Sequence, residues 1–130
     1  MTKKTRNILI LAVVIPMLVI GIFAVKAAFI LYGAVQHART EAAHNGIEDI
    51  KKALQIYQMK HAGRGPAGID DLLKDTDENP ALLKSDCRLD PWRTPYLLEK
   101  NGKTWRITSA GPDSKFGTED DLTNEWFDFN

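Results

Sequence analysis

ILILAVVIPMLVIGIFAV, residues 8–25, is 18 residues without a charge. As a helix rising about 1.5 Å per residue it spans about 27 Å, close to the roughly 30 Å hydrocarbon core of a bilayer. Further along the same helix-favouring run, EAAHNGIEDIKKALQIYQMKH (residues 41–61) places Ala43, Ile47, Ile50, Leu54 and Tyr57 at steps of three and four. That is the spacing of a helix face packed against protein. One helix over residues 8–61 is therefore predicted to begin as a lipid-facing surface and to end as a protein-facing one. Whatever covers its outer stripe must come from the residues that follow.

Charge divides the chain at the same place. The formal net charge is zero, yet Lys3, Lys4, Arg6 and Lys26 give the first 35 residues four positive charges and no negative ones, leaving the remainder net negative by four. Basic residues ahead of an apolar span stay in the cytoplasm, so the N-terminus is expected inside and the acidic domain outside. A domain without a basic stripe is no candidate for nucleic-acid binding. The apolar run exceeds the roughly 7–15 residues of a cleaved signal-peptide core and has no small-x-small site before polar sequence, which favours a retained anchor. The expected division is a basic leader at 1–7, an apolar helix half at 8–35 and a globular domain at 36–130. Pro16 removes one helical hydrogen bond and is expected to kink the span. Lys26 interrupts the apolar surface, which resumes through residues 27–35.

Beyond the membrane segment, Glu48 and Lys52 form an (i, i+4) pair in the favourable order. Gly46 costs the helix roughly 1 kcal/mol relative to alanine, and Gly63, Gly65, Pro66 and Gly68 end it. Residues 69–74 read as a short helix with Leu72 and Leu73 aimed back at the long one, followed by an acidic turn at 75–79 and a loop through Asp90. A hairpin is predicted from two strands, 96–100 and 103–108, joined by Asn101-Gly102. Trp105 and Ile107 share one strand face, placed to cover the helix stripe.

Several polar residues carry no site. The lone Cys87 has no partner for a disulfide and no metal-spaced neighbour, and reads as an ordinary half-buried residue. His37, His44 and His61 are separated by 7 and 17 positions, which does not make a helical metal pair. Asp70 and Asp71 read as the polar side of a short helix, and Ser109 lacks the flanking pattern of a nucleophile.

The richest chemistry lies at Ser109-Ala110-Gly111-Pro112-Asp113-Ser114-Lys115-Phe116-Gly117-Thr118-Glu119-Asp120-Asp121-Leu122. From Ser109 to the C-terminus there are six acids and one base. Such a loop resists folding unless a positive charge sits among its carboxylates, and calcium suits it, taking six to eight oxygens from carboxylates and carbonyls in flexible geometry. The EF-hand spacing is absent. Composition leaves two readings open, a calcium loop and a solvated acidic tail.

Four stretches together resemble the major pseudopilins of type II secretion systems and, more broadly, type IV pilin-like proteins. Val19-Ile20-Gly21-Ile22-Phe23-Ala24 is similar to the Leu-Gly-Ile-Leu-Ala pattern of that family's membrane helix. Residues 38–42 leading to 50–57, then Gly63-Arg64-Gly65-Pro66, resemble its outer helix and exit. Asp90-Pro91-Trp92-Arg93-Thr94-Pro95-Tyr96 is close to Asp-Pro-Trp-Gly-Asn-Pro-Tyr, and residues 109–113 with 117–121 resemble its calcium loop. The resemblance implies an α+β, pilin-like fold, with a long N-terminal helix packed on a small antiparallel sheet and a C-terminal calcium loop. It implies Asp113, Asp120 and Asp121 as side-chain ligands of Ca2+, with the carbonyls of Ala110 and Thr118. It also implies a non-enzymatic subunit of the bacterial inner membrane, with a single span and a periplasmic or extracellular domain. Copies of itself, other pseudopilins and inner-membrane secretion components are the implied partners in a filament that supports protein export.

Three positions depart from the family pattern. Taking Gly21 as the family's helix glycine makes Ile8 the first mature residue and puts Asn7 where prepilin peptidase expects glycine. Ala12 then replaces the glutamate that pairs with a neighbour's N-terminal amine, and Phe29 replaces a helix proline. These departures bear on processing, N-methylation and assembly. They keep one alternative open, an anchored calcium-binding scaffold or accessory protein that does not polymerise; a remote second alternative, resting on the acidic loop, is a membrane-tethered hydrolase using Asp113, Asp120 and Asp121 around a metal.

Overall fold

A computed structural model of the chain describes residues 2–75 and 80–128, and at residues 4–6 and 9 the backbone alone. The acidic turn predicted at 75–79 lies outside the described residues from 76 onward. The elements in order are α1 (Lys3–Lys60), α2 (Asp70–Leu73), a 3₁₀ turn (Ser85–Arg88), β1 (Leu97–Asn101), β2 (Thr104–Ser109) and β3 (Leu122–Thr123). The chain forms two compact units, Met1–His37 and Ala38–Asn130.

The first unit consists of helix. α1 starts at Lys3, inside the polar leader, and runs on through Pro16. Every described side chain from Ile10 to Val35 is exposed, Phe29 at 78% and Ile30 at 72%. The helix is long and apolar enough to cross a membrane.

In the second unit the outer part of α1 supplies the stripe that its sequence spacing predicts. Ala43, Ile47, Ile50 and Leu54 are buried, with Ala53 beside them, and Tyr57 packs half-buried against the same cluster. Trp105 and Ile107 meet this stripe from β2, joined by Leu72 of α2, Leu83 and Tyr96. β2 is central in a three-stranded antiparallel sheet of order β1-β2-β3. Its alternate residues reach the helix because successive strand side chains point to opposite faces.

Four local expectations need correction. Asn101 pairs with Thr104 as the last rung of the hairpin, so the turn residues are Gly102 and Lys103, one position later than predicted. Gly102 has φ +61° while Lys103 is not in the left-handed region, which is the pattern of a two-residue turn with glycine first. Lys52 pairs with Asp49 at 3.3 Å rather than with Glu48, whose carboxylate meets Lys51 at 3.9 Å. Glu48, Asp49 and Lys52 are exposed and Lys51 is only half-buried, so either choice contributes little. α1 ends at Lys60, and the left-handed capping position is taken by Ala62, at φ +53°, ahead of Gly63 at φ +79°, whose N–H closes back on Gln58 O at 2.8 Å, the six-to-one bond of a Schellman cap. The short helix is four residues, Asp70–Leu73, with Leu72 fully buried.

Gly46 has a packing reason absent from the sequence. A β-carbon there would lie 2.2 Å from Tyr96 Oη, and that hydroxyl donates to Ala43 O at 3.3 Å. Gly65 likewise makes room for Trp105, whose Cζ2 would be 2.0 Å from an added β-carbon.

Candidate functional site

The acidic loop leaves β2 at Ser109 and returns to the sheet at β3. Ser109, Ala110 and Gly111 are buried, and residues 112–119 are exposed. Gly111 sits at φ +65°, and a β-carbon on it would collide with Asp120 O at 2.1 Å. The start and the end of the loop are thus in backbone contact, an approach that only glycine permits.

The loop's carboxylates fold it by accepting its own amides. Asp120 Oδ2 accepts from Asp113 N at 3.0 Å, Asp113 Oδ1 from Lys115 N at 2.8 Å, and Asp121 Oδ2 from Gly117 N at 2.7 Å. Thr118 Oγ1 donates to Asp120 Oδ1 at 2.6 Å. That hydroxyl, followed by the Asp113 amide, holds the Asp120 carboxyl below its usual range, because hydrogen bonds to the ionised form favour it. One atom is left over: Asp121 Oδ1 is buried and has no hydrogen-bond partner.

The structure therefore brings Asp113, Asp120, Asp121, Ala110 and Thr118 into one loop. Among the described residues, though, no three His, Cys, Asp or Glu side chains group closely enough to hold a metal ion on their own. A hard cation accepts backbone carbonyls as readily as carboxylates. The orphaned oxygen of Asp121 is the kind of group such an ion satisfies, since a buried unpartnered acceptor costs about 1–3 kcal/mol, more when charged.

The residue missed from sequence is Asp90, which reads there only as part of a quoted motif. It is 4% exposed. Its Oδ1 accepts from Trp92 N at 3.0 Å and Thr94 N at 2.8 Å, and its Oδ2 accepts from Ser109 Oγ at 2.6 Å. The motif's turn also needs Arg93 at φ +69°, where the family pattern has glycine. An aspartate followed by proline signals an Asx-type turn, but the partnership with Ser109 across 19 positions leaves no local trace.

At the other end of the chain, Asn7, Ile8 and Ala12 all lie within α1 and are exposed. The remaining polar candidates have structural surroundings. His61 stacks on Tyr57 with ring centroids 4.0 Å apart. Asp71 accepts from Ala67 N at 2.7 Å and pairs with Lys74, which keeps its carboxyl below the usual range. Asp70 faces Arg88 at 3.3 Å. Cys87 is half-buried, its Sγ 3.9 Å from Asp86 Oδ1.

Comparison with known proteins agrees with this architecture. The profile of the family described as "Type II secretion system (T2SS), protein G" matches residues 30–125. The "Type II secretion system core protein G" of Escherichia coli (strain K12) is 28% identical over 134 residues, spanning 95% of this chain and 92% of its own length. Its namesake from Pectobacterium carotovorum subsp. carotovorum is 29% identical over 133 residues, spanning 93% and 85%. Among solved structures, the crystal structure of the major pseudopilin from the type 2 secretion system of enterohaemorrhagic Escherichia coli superposes with a TM-score of 0.59. That match covers 72% of this chain and 88% of the other at 24% identity, a likeness of fold.

Proposed function

Because the chain belongs to the type II secretion system protein G family, we propose that it serves as a structural subunit of a pseudopilus, the filament that supports protein export. The observation that carries this reading is the long exposed apolar surface of α1 from Ile10 to Val35, whose one charged residue is Lys26. A surface of that extent is not left in water at about 25 cal/mol per Å². Lipid covers it before assembly, and the same surface of neighbouring copies covers it afterwards. Other pseudopilins and inner-membrane secretion components are the further partners. The protein crosses the bacterial inner membrane once, with the leader at 1–7 in the cytoplasm on account of Lys3, Lys4 and Arg6, and domain 36–130 on the periplasmic or extracellular side. The role is mechanical and calls for no catalytic group.

Calcium staples the domain in this reading. Asp113, Asp120 and Asp121 with the carbonyls of Ala110 and Thr118 form the donor set, and the unpartnered Asp121 Oδ1 supports it. The ion would neutralise the loop and fix its turns.

The test is complementation. Expressed in a secreting bacterium that lacks its own protein G, the chain is expected to restore export and, when overproduced, to yield surface filaments visible by electron microscopy. Failure on both counts, with the protein present in the membrane, would remove the filament role. Asn7 and Ala12 favour one alternative, an anchored scaffold that does not polymerise. Intact-mass measurement on protein from the native membrane separates the two: loss of residues 1–7 supports the filament subunit and a full-length chain supports the anchor.

A further inference from the structure

The two most specific stretches of the sequence, Asp90 to Tyr96 and Ser109 to Asp121, are joined in the structure by a buried hydrogen bond. Ser109 Oγ donates to Asp90 Oδ2 at 2.6 Å, with Ser109 0% exposed and Asp90 4%. The same hydroxyl oxygen accepts from Gly111 N at 3.3 Å. Gly111 is the residue that touches Asp120, and Asp120 is the residue that accepts from Asp113. On its other side the Asp90 turn is fixed to α1, because Tyr96 N bonds Arg88 O at 3.1 Å while the Tyr96 hydroxyl reaches Ala43 O.

We propose that Asp90 is the positioning residue of the acidic loop: its buried carboxylate orients Ser109, which holds Gly111 and so sets the distance between the Asp113 turn and Asp120. The role extends to cation affinity, and that part rests on the calcium reading above.

The chemistry explains why a carboxylate stands here. A buried carboxylate is rare unless fully engaged, and this one receives two amides on one oxygen and a hydroxyl on the other. Asparagine offers only one acceptor oxygen. If that oxygen stays with the amides of Trp92 and Thr94, its NH₂ faces Ser109 Oγ, which must then accept twice and leave its own proton without a partner. Ser109 either turns or releases Gly111. Groups standing behind a metal's ligands in this way commonly change its affinity about 10–100-fold when altered.

Three variants of the full-length chain in detergent micelles test this: Asp90→Asn, Ser109→Ala, and Ile50→Val as a control that loosens the core away from the loop. Amide hydrogen exchange is measured without calcium, and calcium is then titrated calorimetrically. Asp90→Asn and Ser109→Ala are expected to speed exchange at Gly111, Asp113 and Gly117 more than at the amides of β2, and to weaken calcium binding by at least about tenfold. Ile50→Val is expected to do neither. Loop exchange that stays as in the wild type, or that rises only in step with β2, overturns the positioning role whatever the titration shows. A wild-type chain that takes up no calcium overturns the calcium reading alone, and the exchange comparison still decides the role of Asp90.

Discussion

The hydroxyl of Tyr96 occupies the place that a β-carbon on Gly46 would need, 2.2 Å away, with the ring's Cζ at 2.9 Å. Gly46→Ala should raise helix propensity by about 1 kcal/mol and still destabilise, because overpacking a filled site costs about 1–3 kcal/mol. A net loss of up to about 2 kcal/mol is expected in thermal melts followed by circular dichroism. Tyr96→Phe in the same chain should recover part of it, since Cζ remains close after the oxygen is gone. Strict additivity of the two substitutions would show that they do not meet.

Tyr96 also makes stability sensitive to alkali. Burial, reinforced by the Asp90 carboxylate, pushes its phenol well above the ordinary value of 10.0. A group whose folded value is raised contributes stability that is complete below its unfolded value and is lost as pH rises through the folded one. The wild type should therefore lose stability from about pH 10 upward. Tyr96→Phe should flatten that limb, and an unchanged alkaline limb would remove Tyr96 as its source.

Three described non-glycine residues stand in the left-handed region at exposed turns: Ser114 in the acidic loop at φ +58°, and, away from it, Ala62 at φ +53° and Arg93 at φ +69°. Left-handed backbone costs an L-residue about 1–2 kcal/mol, part of which glycine returns as greater freedom in the unfolded chain. Ala62→Gly and Arg93→Gly should each stabilise by about 0.5–1 kcal/mol in denaturant titrations. Destabilisation by either would mean that the side chain makes a contact worth more than the strain.

Thr118→Val removes the hydroxyl nearest Asp120 Oδ1. The Asp120 carboxyl should then titrate closer to its ordinary 3.8, which carbon-detected NMR across an acid series can follow. A depressed folded value stabilises above the unfolded value and that stabilisation fades as pH falls through the folded one. The gap in stability between wild type and variant should therefore be open at neutral pH and close below about pH 4. A gap that persists at low pH would assign it to the bond from Thr118 Oγ1 to Lys115 O at 3.1 Å instead.

Much of the fold was legible because it depends on period. The helical spacing of Ala43, Ile47, Ile50 and Leu54 and the strand alternation of Trp105 and Ile107 each state which face is buried, and those faces meet. The loop residues were legible as a group because like charges cluster in sequence. What stayed hidden is set by contacts between distant positions. Gly46 reads as a defect until Tyr96 is seen against it, and Asp90 reads as one residue of a turn until Ser109 is found on its second oxygen. The C-terminal segment was hidden for a similar reason: it reads as acidic tail, yet Phe127 exchanges both backbone hydrogen bonds with Trp105, at 2.9 and 3.0 Å, and packs on the core.

That pairing bears on how copies of the chain avoid sticking to one another in unintended ways. β2 carries Trp105, Ile107 and Thr108, all buried, and is the strand most apt to template aggregation if left open. β1 pairs along one flank. Along the other run β3, then Asn124, which receives Ile107 N–H on its side chain at 2.8 Å, then Phe127. Among the described residues the sheet's two edges are β3, only two residues long, and β1, where Glu99, Lys100 and Asn101 lie. Charged residues on a short outer strand discourage edge-to-edge pairing. In the filament proposed above, self-association rests on the apolar helix, while the short or charged edges of the sheet discourage stacking that would run away into cross-β.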